Sequence, residues 1–577
     1  MTPMDIHRRG FLKQTGFAMT AIALAPGLVH SKPSQRTLGL DQIIRKLTVI
    51  NDSLIVDALA RQIHNPGNRW HGGFMDSYEL PNAHVLRSNF TRISSSFLSP
   101  VSTFYQSDRL HESLHLALDC LLNVQHDNGT IDLHSTNLRS PPDTAFFVNF
   151  LSPAYAVLLN MEGVNELTEK LGLFLHRTGE GLLAGGIHTP NHRWVVCNAL
   201  ARLNQFFPSQ KYIDRMDDWL GEGIDMDPDG QYQETSVLTY TPHVNNAFQT
   251  IGHILDRPEF LDVVRKNLEM TLYYIRPHGE MMAATAGRGA RTGFISRYYY
   301  AYKYFAILDM NPVYAAVADF TERELIRELD MYDDGWMIPL LLDNPVFEQK
   351  MVAPGEIPDN YIKRFPHSGV FRIRRGYKDL AAIENNTNFF TYMKGEAVLE
   401  AVQLHAAFYG SRGQFQAEMA DIQNSTITLE RSITHGYFQP FPEDKRTGDG
   451  DGSKLPREKR EMTQVQTLNY RVMIIEQEGN VTLDVEVEGV DHVPVSLEMS
   501  FRRGGELQGV VAEPHNEDSF FMNQEMGRYK AGKDVIHFGP GKTGHKWARM
   551  RGMMPKHEGY SVYLTGETPF KHSIAFH

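Results

Sequence analysis

The sequence predicts two structural classes in series, an all-α region over residues 38–345 and an antiparallel β-sandwich over residues 367–577. Two observations predict this order. Apolar residues recur at helical spacing in the first part, and they alternate with polar residues in the second. A chain of 577 residues also exceeds what one hydrophobic core usually supports, so two domains joined by the proline-containing linker 346–366 are expected.

Successive stretches with an apolar residue every three to four positions predict the helices. They cover residues 110–124, 147–159, 167–175, 244–255, 260–275 and 298–308, and a further helix follows Asn191. No strand-like run separates these stretches, and no sequence repeat is evident. The predicted N-terminal region therefore consists of packed helices without a sheet.

Two runs in the C-terminal part alternate apolar and polar residues. The apolar positions are Val481, Leu483, Val485 and Val487 in one run and Val493, Val495, Leu497, Met499 and Phe501 in the other. This period of two predicts half-buried antiparallel strands, as in a sandwich. Residues 443–461, which contain D-G-D-G, are predicted to form a long mobile loop.

Composition limits the classes of partner and cofactor. A net charge of −12, without a recognised binding motif, argues against nucleic acid as a partner. Cys120 and Cys197 are predicted to be separate buried thiols, which excludes a cysteine-based metal cluster. No cofactor is predicted, and D-G-D-G lacks the ligand spacing of a calcium loop, so a structural divalent metal has no support. The sequence leaves the oligomeric state open.

The first 31 residues are predicted to be a twin-arginine export signal. The segment H-R-R-G-F-L-K, with Arg8 and Arg9, is close to the pattern R-R-x-F-L-K, and an apolar stretch over residues 17–28 follows it. No later stretch approaches the roughly twenty apolar residues that span a bilayer. We therefore expect a periplasmic or secreted protein that has no membrane anchor after signal removal.

Two short segments about fifty residues apart indicate a proton-transfer site. In T-P-N-H-R-W-V-V-C, Pro190 suits the first turn of a helix, so Asn191 and His192 lie at a helix mouth that favours anions. In D-G-Q-Y-Q-E-T-S-V-L-T-Y, a turn leads to Tyr240 on a loop or at a helix start. Each segment alone is typical of a helix cap or of a side chain that only packs. The two segments together favour a proton-transfer site.

A third segment, G-R-G-A-R-T-G-F-I-S-R, contains Arg288 and Arg291. Its glycines predict a loop where the backbone comes close to a ligand, and its arginines would suit an anionic one. A solvated basic loop is the alternative.

The first two segments resemble the catalytic half of heparinase II/III-like and alginate-lyase-like polysaccharide lyases. The resemblance implies an (α/α) toroid followed by an antiparallel β-sandwich. It also implies cleavage of an anionic, uronic-acid-containing polysaccharide by β-elimination. The catalytic residues that it implies are Asn191, His192, Tyr240 and His405, and the implied substrate-binding residues are Arg193, Gln233, Glu234, His243, Arg288 and Arg291.

His405 lies in the region where these lyases bring a β-domain histidine over the toroid cleft. The family's further histidine and aspartate, which sometimes bind zinc, are replaced here by Gln403 or Ala407. The resemblance therefore assigns no metal. A core histidine in an apolar strand is the alternative for His405.

Two other functions are compatible with the sequence. A glycoside hydrolase with a helical toroid would use a carboxylate pair, for which Asp227, Asp229 and Glu234 are candidates. A non-catalytic polysaccharide-binding protein would need aromatic and basic residues but no tyrosine acid.

Replacing Arg8 and Arg9 together by lysine should retain the precursor in the cytoplasm, because the arginine pair belongs to the export signal and not to the fold. Fractionation of an expressing bacterium measures this. Unchanged periplasmic yield through the same pathway would contradict the prediction.

Overall fold

Helices and strands follow one another in the predicted order. The computed structural model describes residues 40–324, 336–446, 450–456, 459–523 and 525–577. The predicted export signal, residues 1–31, lies outside these ranges. Within them, no helix is both long and apolar enough to cross a membrane.

In the described residues up to Asp343, the regular structure is helical apart from one small hairpin of strands. The α-helices are α1 Leu40–Ser53, α2 Ile55–Ala60, α3 Ala83–Leu98, α4 Asp108–Val124, α5 Pro141–Leu158, α6 Asn165–Ala184, α7 Pro190–Phe206, α8 Gln210–Leu220, α9 Tyr240–Ile254, α10 Pro258–Leu272, α11 Tyr299–Leu308, α12 Pro312–Glu324 and α13 Met337–Asp343. Every predicted helical stretch overlaps one of these helices, which confirms the helical class.

Local sequence explains where the helices begin. Proline occupies the first turn of α5, α7 and α10, where its missing N–H costs no hydrogen bond. The side chains of Asn82, Ser107 and Ser140 cap α3, α4 and α5 by accepting backbone N–H groups three residues on.

The helices pack as hairpins arranged in an (α/α) toroid. The hairpins are α3 with α4, α5 with α6, α7 with α8, α9 with α10, and α11 with α12. The first helices of neighbouring hairpins contact each other in the order α3, α5, α7, α9, α11, and α13 packs on α3 and α5. Neighbouring helices in this series therefore bring their first turns to a common region.

A small antiparallel hairpin interrupts the helices, contrary to the prediction of a region without strands. Its strands are β1 Ile131–Leu133 and β2 Asn137–Ser140. Strands of three and four residues are too short to show a period of two. Ser140 ends β2 and caps α5, so the hairpin leads directly into the next helix.

The C-terminal part contains two large sheets. Their strands are β3 Asn360–Phe365, β4 Val370–Arg375, β5 Lys378–Ile383, β6 Phe390–Lys394, β7 Ala397–Ala406, β8 Met419–Gln423, β9 Thr426–Phe438, β10 Met462–Gln477, β11 Asn480–Gly489, β12 Pro494–Phe501, β13 Glu506–Gln508, β14 Val511–Ala512, β15 Ser519–Phe521, β16 Gly527–Ala531, β17 Asp534–Gly539, β18 Tyr560–Glu567 and β19 Phe570–Phe576. The strand orders are β13-β16-β17-β19-β11-β10-β9-β8 and β14-β15-β18-β12-β7-β6-β5-β4-β3. Paired strands are antiparallel, except that β15 runs parallel to β18. The first strand of these two sheets, β3, lies within the predicted linker.

One predicted alternation is confirmed and the other is only half right. In β11 the apolar residues are buried and the intervening Thr482, Asp484 and Glu486 are partly exposed. In β12 the polar residues are buried as well. Residues 541–559 cover that face, where Ser496 donates to the Ala548 carbonyl at 3.1 Å. The period of two is a local pattern, so it could not show that a segment distant in the sequence covers this face of β12.

Charged side chains join the helical region to the nine-stranded sheet. Arg502, just after β12, donates to both carboxylate oxygens of Glu280 at 2.7 and 2.8 Å. Arg372 on β4 donates to Asp379 at 2.6 Å and to the Tyr273 carbonyl at 3.0 Å. These contacts hold the segment after α10 against the sheet, and that segment leads into the basic loop of Arg288.

The two cysteines are buried free thiols on different helices. Cys120 lies on α4 and Cys197 on α7, as predicted.

Candidate functional site

The first turns of α3, α5, α7 and α9 lie side by side at one mouth of the helical region. On α5, the Phe146 ring stands 6.3 Å from the His192 ring and 6.0 Å from the His243 ring. The His84 ring of α3 lies 5.7 Å from the Phe147 ring. Helix N-termini carry a partial positive charge, so this mouth favours anions.

Asn191, in the first turn of α7, keeps an unused amide donor. Its Oδ1 accepts a hydrogen bond from Thr189 Oγ1 at 2.8 Å, which leaves Nδ2 as the remaining polar group. That Nδ2 is buried and has no partner within the described chain. An unused buried donor costs free energy unless water or a ligand satisfies it. Asn191 is therefore arranged to donate through Nδ2, and its side chain does not cap the helix.

His192 is mostly buried and uncharged at neutral pH. Burial, reinforced by the nearby His188 ring, lowers the pKa of His192 to about 4. The centroids of the two rings are 4.5 Å apart. A neutral imidazole can accept a proton but brings no positive charge to a carboxylate.

Glu234 supplies the anion at the start of α7. Its Oε1 accepts the Asn191 backbone N–H at 3.3 Å and lies 3.6 Å from the Arg288 guanidinium. Burial raises the pKa of Glu234, and these two partners oppose the rise. The helix mouth therefore already binds a carboxylate of the protein itself.

Thr235 redirects the chain between Glu234 and α9. It is a β-branched residue with φ 48°, in the left-handed region that such residues rarely adopt. A conformation of this kind costs of order 1–3 kcal/mol and persists only where surrounding contacts enforce it. One such contact is the Gly287 N–H, which donates to Thr235 Oγ1 at 3.1 Å. This contact ties the segment that carries Glu234 to the basic loop.

Tyr240 is the first residue of α9 and is partly exposed. The Arg288 guanidinium lies over its ring, 4.6 Å from the ring centroid, as in a cation–π contact. Gly289 allows the loop to sit this close, because its φ is +87° and a Cβ there would stand 2.5 Å from Thr239 Oγ1. The glycines predicted that the loop backbone comes close to another group. Gly289 makes this close approach, and the group it approaches is Thr239 of the same chain.

Three of the predicted substrate-binding residues lie apart from this group. Arg193 is buried and pairs with Glu222 and Asp225, so its charge is already neutralised. Gln233 is exposed and lines a separate cavity between the helices and the sheet. Arg291 is exposed on the basic loop.

His243 lies beside a cavity of about 160 Å³ that Phe150, Arg87 and Arg297 also line. Burial, followed by the charges of the two arginines, lowers the pKa of His243 to about 3. The side chain is therefore neutral at physiological pH. The cavity is smaller than the roughly 300–1,000 Å³ of typical ligand sites.

His405 is fully buried on β7, opposite Ser496 of β12. Burial lowers its pKa to about 4, and the main chain of Arg551 opposes that shift. No described contact joins His405 to Asn191 or Tyr240. The structure thus brings Asn191, His192, Glu234, Tyr240 and Arg288 together and leaves His405 in the sheet.

An acid–histidine pair that the sequence did not indicate lies at the same mouth. His84 Nε2 lies 3.5 Å from Asp143, which also accepts from Ser140 and Asn137 at 2.5 and 2.9 Å. Burial would raise the pKa of Asp143, but hydrogen bonds from these partners outweigh it and lower the pKa to about 2. The capping signal S-P-P-D could have located Asp143 at a helix start. The exposed His188 was missed too, although it lies only four residues before His192.

Neither a protein-family model nor a curated protein matches the sequence. The structure is similar to solved lyase structures, among them heparinase III and chondroitin AC lyase. Heparinase III has a TM-score of 0.53 at 11% identity, over 95% of this chain and 87% of that chain. Chondroitin AC lyase of Streptomyces coelicolor A3, in complex with chondroitin sulphate, has a TM-score of 0.52 at 11% identity, over 92% of this chain and 79% of that chain. The chain therefore has the helical-toroid and β-sandwich fold of these polysaccharide lyases.

Proposed function

We propose that this protein is a polysaccharide lyase that cleaves a uronic-acid-containing polysaccharide by β-elimination, leaving an unsaturated uronate end. One observation supports this most strongly. The unused amide donor of Asn191, the neutral imidazole of His192 and the phenol of Tyr240 belong to neighbouring helix first turns, beside the Arg288 guanidinium. These are the group types that the reaction requires.

β-Elimination next to a carboxylate has three chemical needs. The proton on C5 is weakly acidic, so the carboxylate must be neutralised as negative charge develops on it. A base must reach the C5 proton, and an acid must protonate the leaving C4 oxygen.

Asn191 suits the first need. Its Nδ2 can donate to a substrate carboxylate oxygen without moving, because Thr189 holds the other end of the amide. Arg288, less than half exposed and close to Glu234, can add positive charge to the same group. Donors fixed before the reaction avoid the reorganisation that water would need.

His192 and Tyr240 suit the two proton transfers. A neutral His192 can take the C5 proton, and Tyr240 can give its phenolic proton to the leaving oxygen. If Tyr240 is instead the base, the Arg288 guanidinium over its ring is the nearest positive charge that the described contacts give it. The two assignments correspond to different relative positions of the C5 proton and the C4 oxygen. His405 remains a proposed contributor from the sheet.

A hydrolase is less well supported because two of its three candidate carboxylates, Asp227 and Asp229, are engaged elsewhere, which leaves Glu234 without a paired acid among them. Asp229 accepts the backbone N–H groups of His367 and Ser368 at 2.7 and 2.9 Å. Asp227 accepts the Ser368 hydroxyl at 2.6 Å. These bonds anchor the chain to the β3–β4 turn, whereas an acid–base pair must face a substrate.

The export signal proposed for residues 1–31 would place this activity in the periplasm or outside the cell, where such polymers are met.

The purified protein should generate ultraviolet absorbance from new C4–C5 double bonds when mixed with at least one uronate polymer. A panel of heparan, chondroitin, hyaluronan, alginate and glucuronan covers the substrate class. New reducing ends without absorbance would indicate a hydrolase, and binding without either product would indicate a non-catalytic protein.

Asn191→Ala should lower turnover about a hundredfold or more, because it removes a donor to the charge that develops in the transition state. Thr189→Val, which frees the amide to rotate, should give a smaller loss in the same direction. Initial rates and thermal unfolding are measured together. A large loss of stability with normal activity per folded molecule would show that Asn191 only supports the helix.

Tyr240→Phe should lower turnover by roughly a hundredfold to ten-thousandfold, because it removes the hydroxyl that transfers a proton and keeps the ring. Calorimetric affinity for the same polymer should persist, since Asn191 and Arg288 remain. Tyr105→Phe, at a 41% exposed tyrosine outside the site, is the matched control. A Tyr240→Phe enzyme with more than about a tenth of wild-type turnover would exclude Tyr240 from the mechanism.

A further inference from the structure

A charged carboxylate lies at the mouth that holds the candidate site. Asp143, in the first turn of α5, is buried. Burial opposes its ionisation, but hydrogen bonds from its partners outweigh burial and lower its pKa to about 2. Phe146 lies one helical turn further along, on the same face of α5, and its ring stands 6.3 Å from the His192 ring. A fixed negative charge therefore lies near the proposed substrate, where it opposes the binding of a second negative charge.

The small hairpin before α5 fixes the direction of this carboxylate. Asn137 and Ser140 of β2 both donate to Asp143 Oδ2, at 2.9 and 2.5 Å. Arg139, which lies between them, has φ 46°, in the left-handed region, and its N–H donates to Asp132 at 2.6 Å. A backbone conformation of this kind costs free energy and persists only where contacts enforce it. The hairpin thus satisfies Oδ2 and leaves Oδ1 for a partner on α3.

That partner is His84, the second residue of α3. Its Nε2 lies 3.5 Å from Asp143 Oδ1, and its side chain is 28% exposed. The ring packs edge-on against Phe147, with the centroids 5.7 Å apart and the planes at 89°. No described hydrogen bond uses Nδ1 of His84, so this nitrogen keeps its capacity to bind a ligand.

The charged groups that the structure describes around the His84 ring are Asp143 of α5 and Arg87 of its own helix. Burial lowers the pKa of His84, Asp143 opposes this shift, and the charge of Arg87 reinforces it. From α7, His192 faces the same mouth as a neutral imidazole, because burial lowers its pKa to about 4. The exposed His188 lies beside it, with the ring centroids 4.5 Å apart. His84 is therefore mostly neutral in the free protein at neutral pH, and one proton on it changes the charge of the mouth.

Anion binding and proton uptake are coupled through the pair of His84 and Asp143. With His84 neutral, Asp143 adds one negative charge to the mouth, where the Arg288 guanidinium already has Glu234 at 3.6 Å. With His84 protonated, the pair is neutral and offers an imidazolium N–H that an anion can accept. An anion bound beside the ring favours the protonated form in turn.

We propose that His84 is a further substrate-binding residue, which takes up a proton from solvent when the uronate binds and donates to the uronate carboxylate through Nδ1. Asp143 orients the imidazolium and compensates its charge. The proposal rests on the lyase function, and it adds a proton to the list of what the site binds. Affinity for the anionic substrate should therefore fall as pH rises above the pKa of His84 in the free protein.

Ligand-observed NMR with D-glucuronate tests the proposal without turnover, because this monosaccharide has a carboxylate and no glycosidic bond to cleave. The dissociation constant should rise about three- to tenfold per pH unit between about pH 6.5 and 8, as expected for uptake of up to one proton. The methyl ester of D-glucuronate, which is uncharged, should bind without this dependence. A dissociation constant of D-glucuronate that does not change with pH would overturn the proposal.

Two substitutions of His84 separate its charge from its capacity to donate. His84→Gln, which can donate but carries no charge, should bind D-glucuronate at about pH 6.5 as weakly as the wild type does at about pH 8. His84→Lys, which stays charged over this range, should bind with no pH dependence. Asp143→Asn should bind about three- to tenfold more tightly than the wild type at about pH 8, a gain that a damaged structure would not produce. If Asp143→Asn fails to fold, the two His84 variants decide the outcome.

His176→Gln, at an exposed histidine on α6, is the matched control and should keep the wild-type pH dependence. A dependence that survives in His84→Gln, or that disappears in His188→Gln instead, would overturn the proposal. The KM of the wild type for a polymer that it cleaves should follow the same pH dependence. Cleavage with pH-independent binding would keep the lyase function and overturn the role of His84. Binding with proton uptake, but without cleavage of any polymer, would do the reverse.

Discussion

A buried carboxylate at the start of a helix organises the candidate site. Glu234 accepts the Asn191 backbone N–H and lies beside Arg288, so three separate segments meet at one group. A carboxylate at a helix N-terminus contributes about 0.3–1 kcal/mol, and up to about 2 kcal/mol when partly buried. Burial opposes this and raises the pKa of Glu234. The contacts with Asn191 and Arg288 thus offset part of the cost of burying the carboxylate.

Contacts between the helical region and the nine-stranded sheet support the segment that leads to this site. Arg502, which is partly exposed, pairs with Glu280 between the two halves, and the buried Arg372–Asp379 pair within the sheet also holds the Tyr273 carbonyl. Removing one member of such a pair typically costs 3–5 kcal/mol, about twice the largest gain expected from the helix N-terminus. The segment after α10, which contains Tyr273 and Glu280, is therefore held at two points. The basic loop that follows it starts from a fixed position. Rigid support of this kind is what a site with fixed donors needs.

The fold and the chemistry rest on different observations. Similarity to heparinase III and to chondroitin AC lyase at 11% identity concerns the path of the backbone. One fold can host unrelated reactions, so the lyase proposal depends on Asn191, His192 and Tyr240 themselves.

The sequence by itself determined the order of helices and strands, because a period of 3.6 or 2 is a local property that each segment shows without its neighbours. It also placed Asn191 and His192 in a first turn, since Pro190 is tolerated there. Only the tertiary structure decided which partners each charge meets. Arg193 is neutralised by Glu222 and Asp225, which lie about thirty residues away in the chain, while Arg288 is carried to Tyr240 by contacts with Thr235 and Thr239. The burial of both faces of β12 was likewise decided by a distant segment. Pairing and burial depend on distances between segments far apart in the chain, and no local pattern encodes those distances.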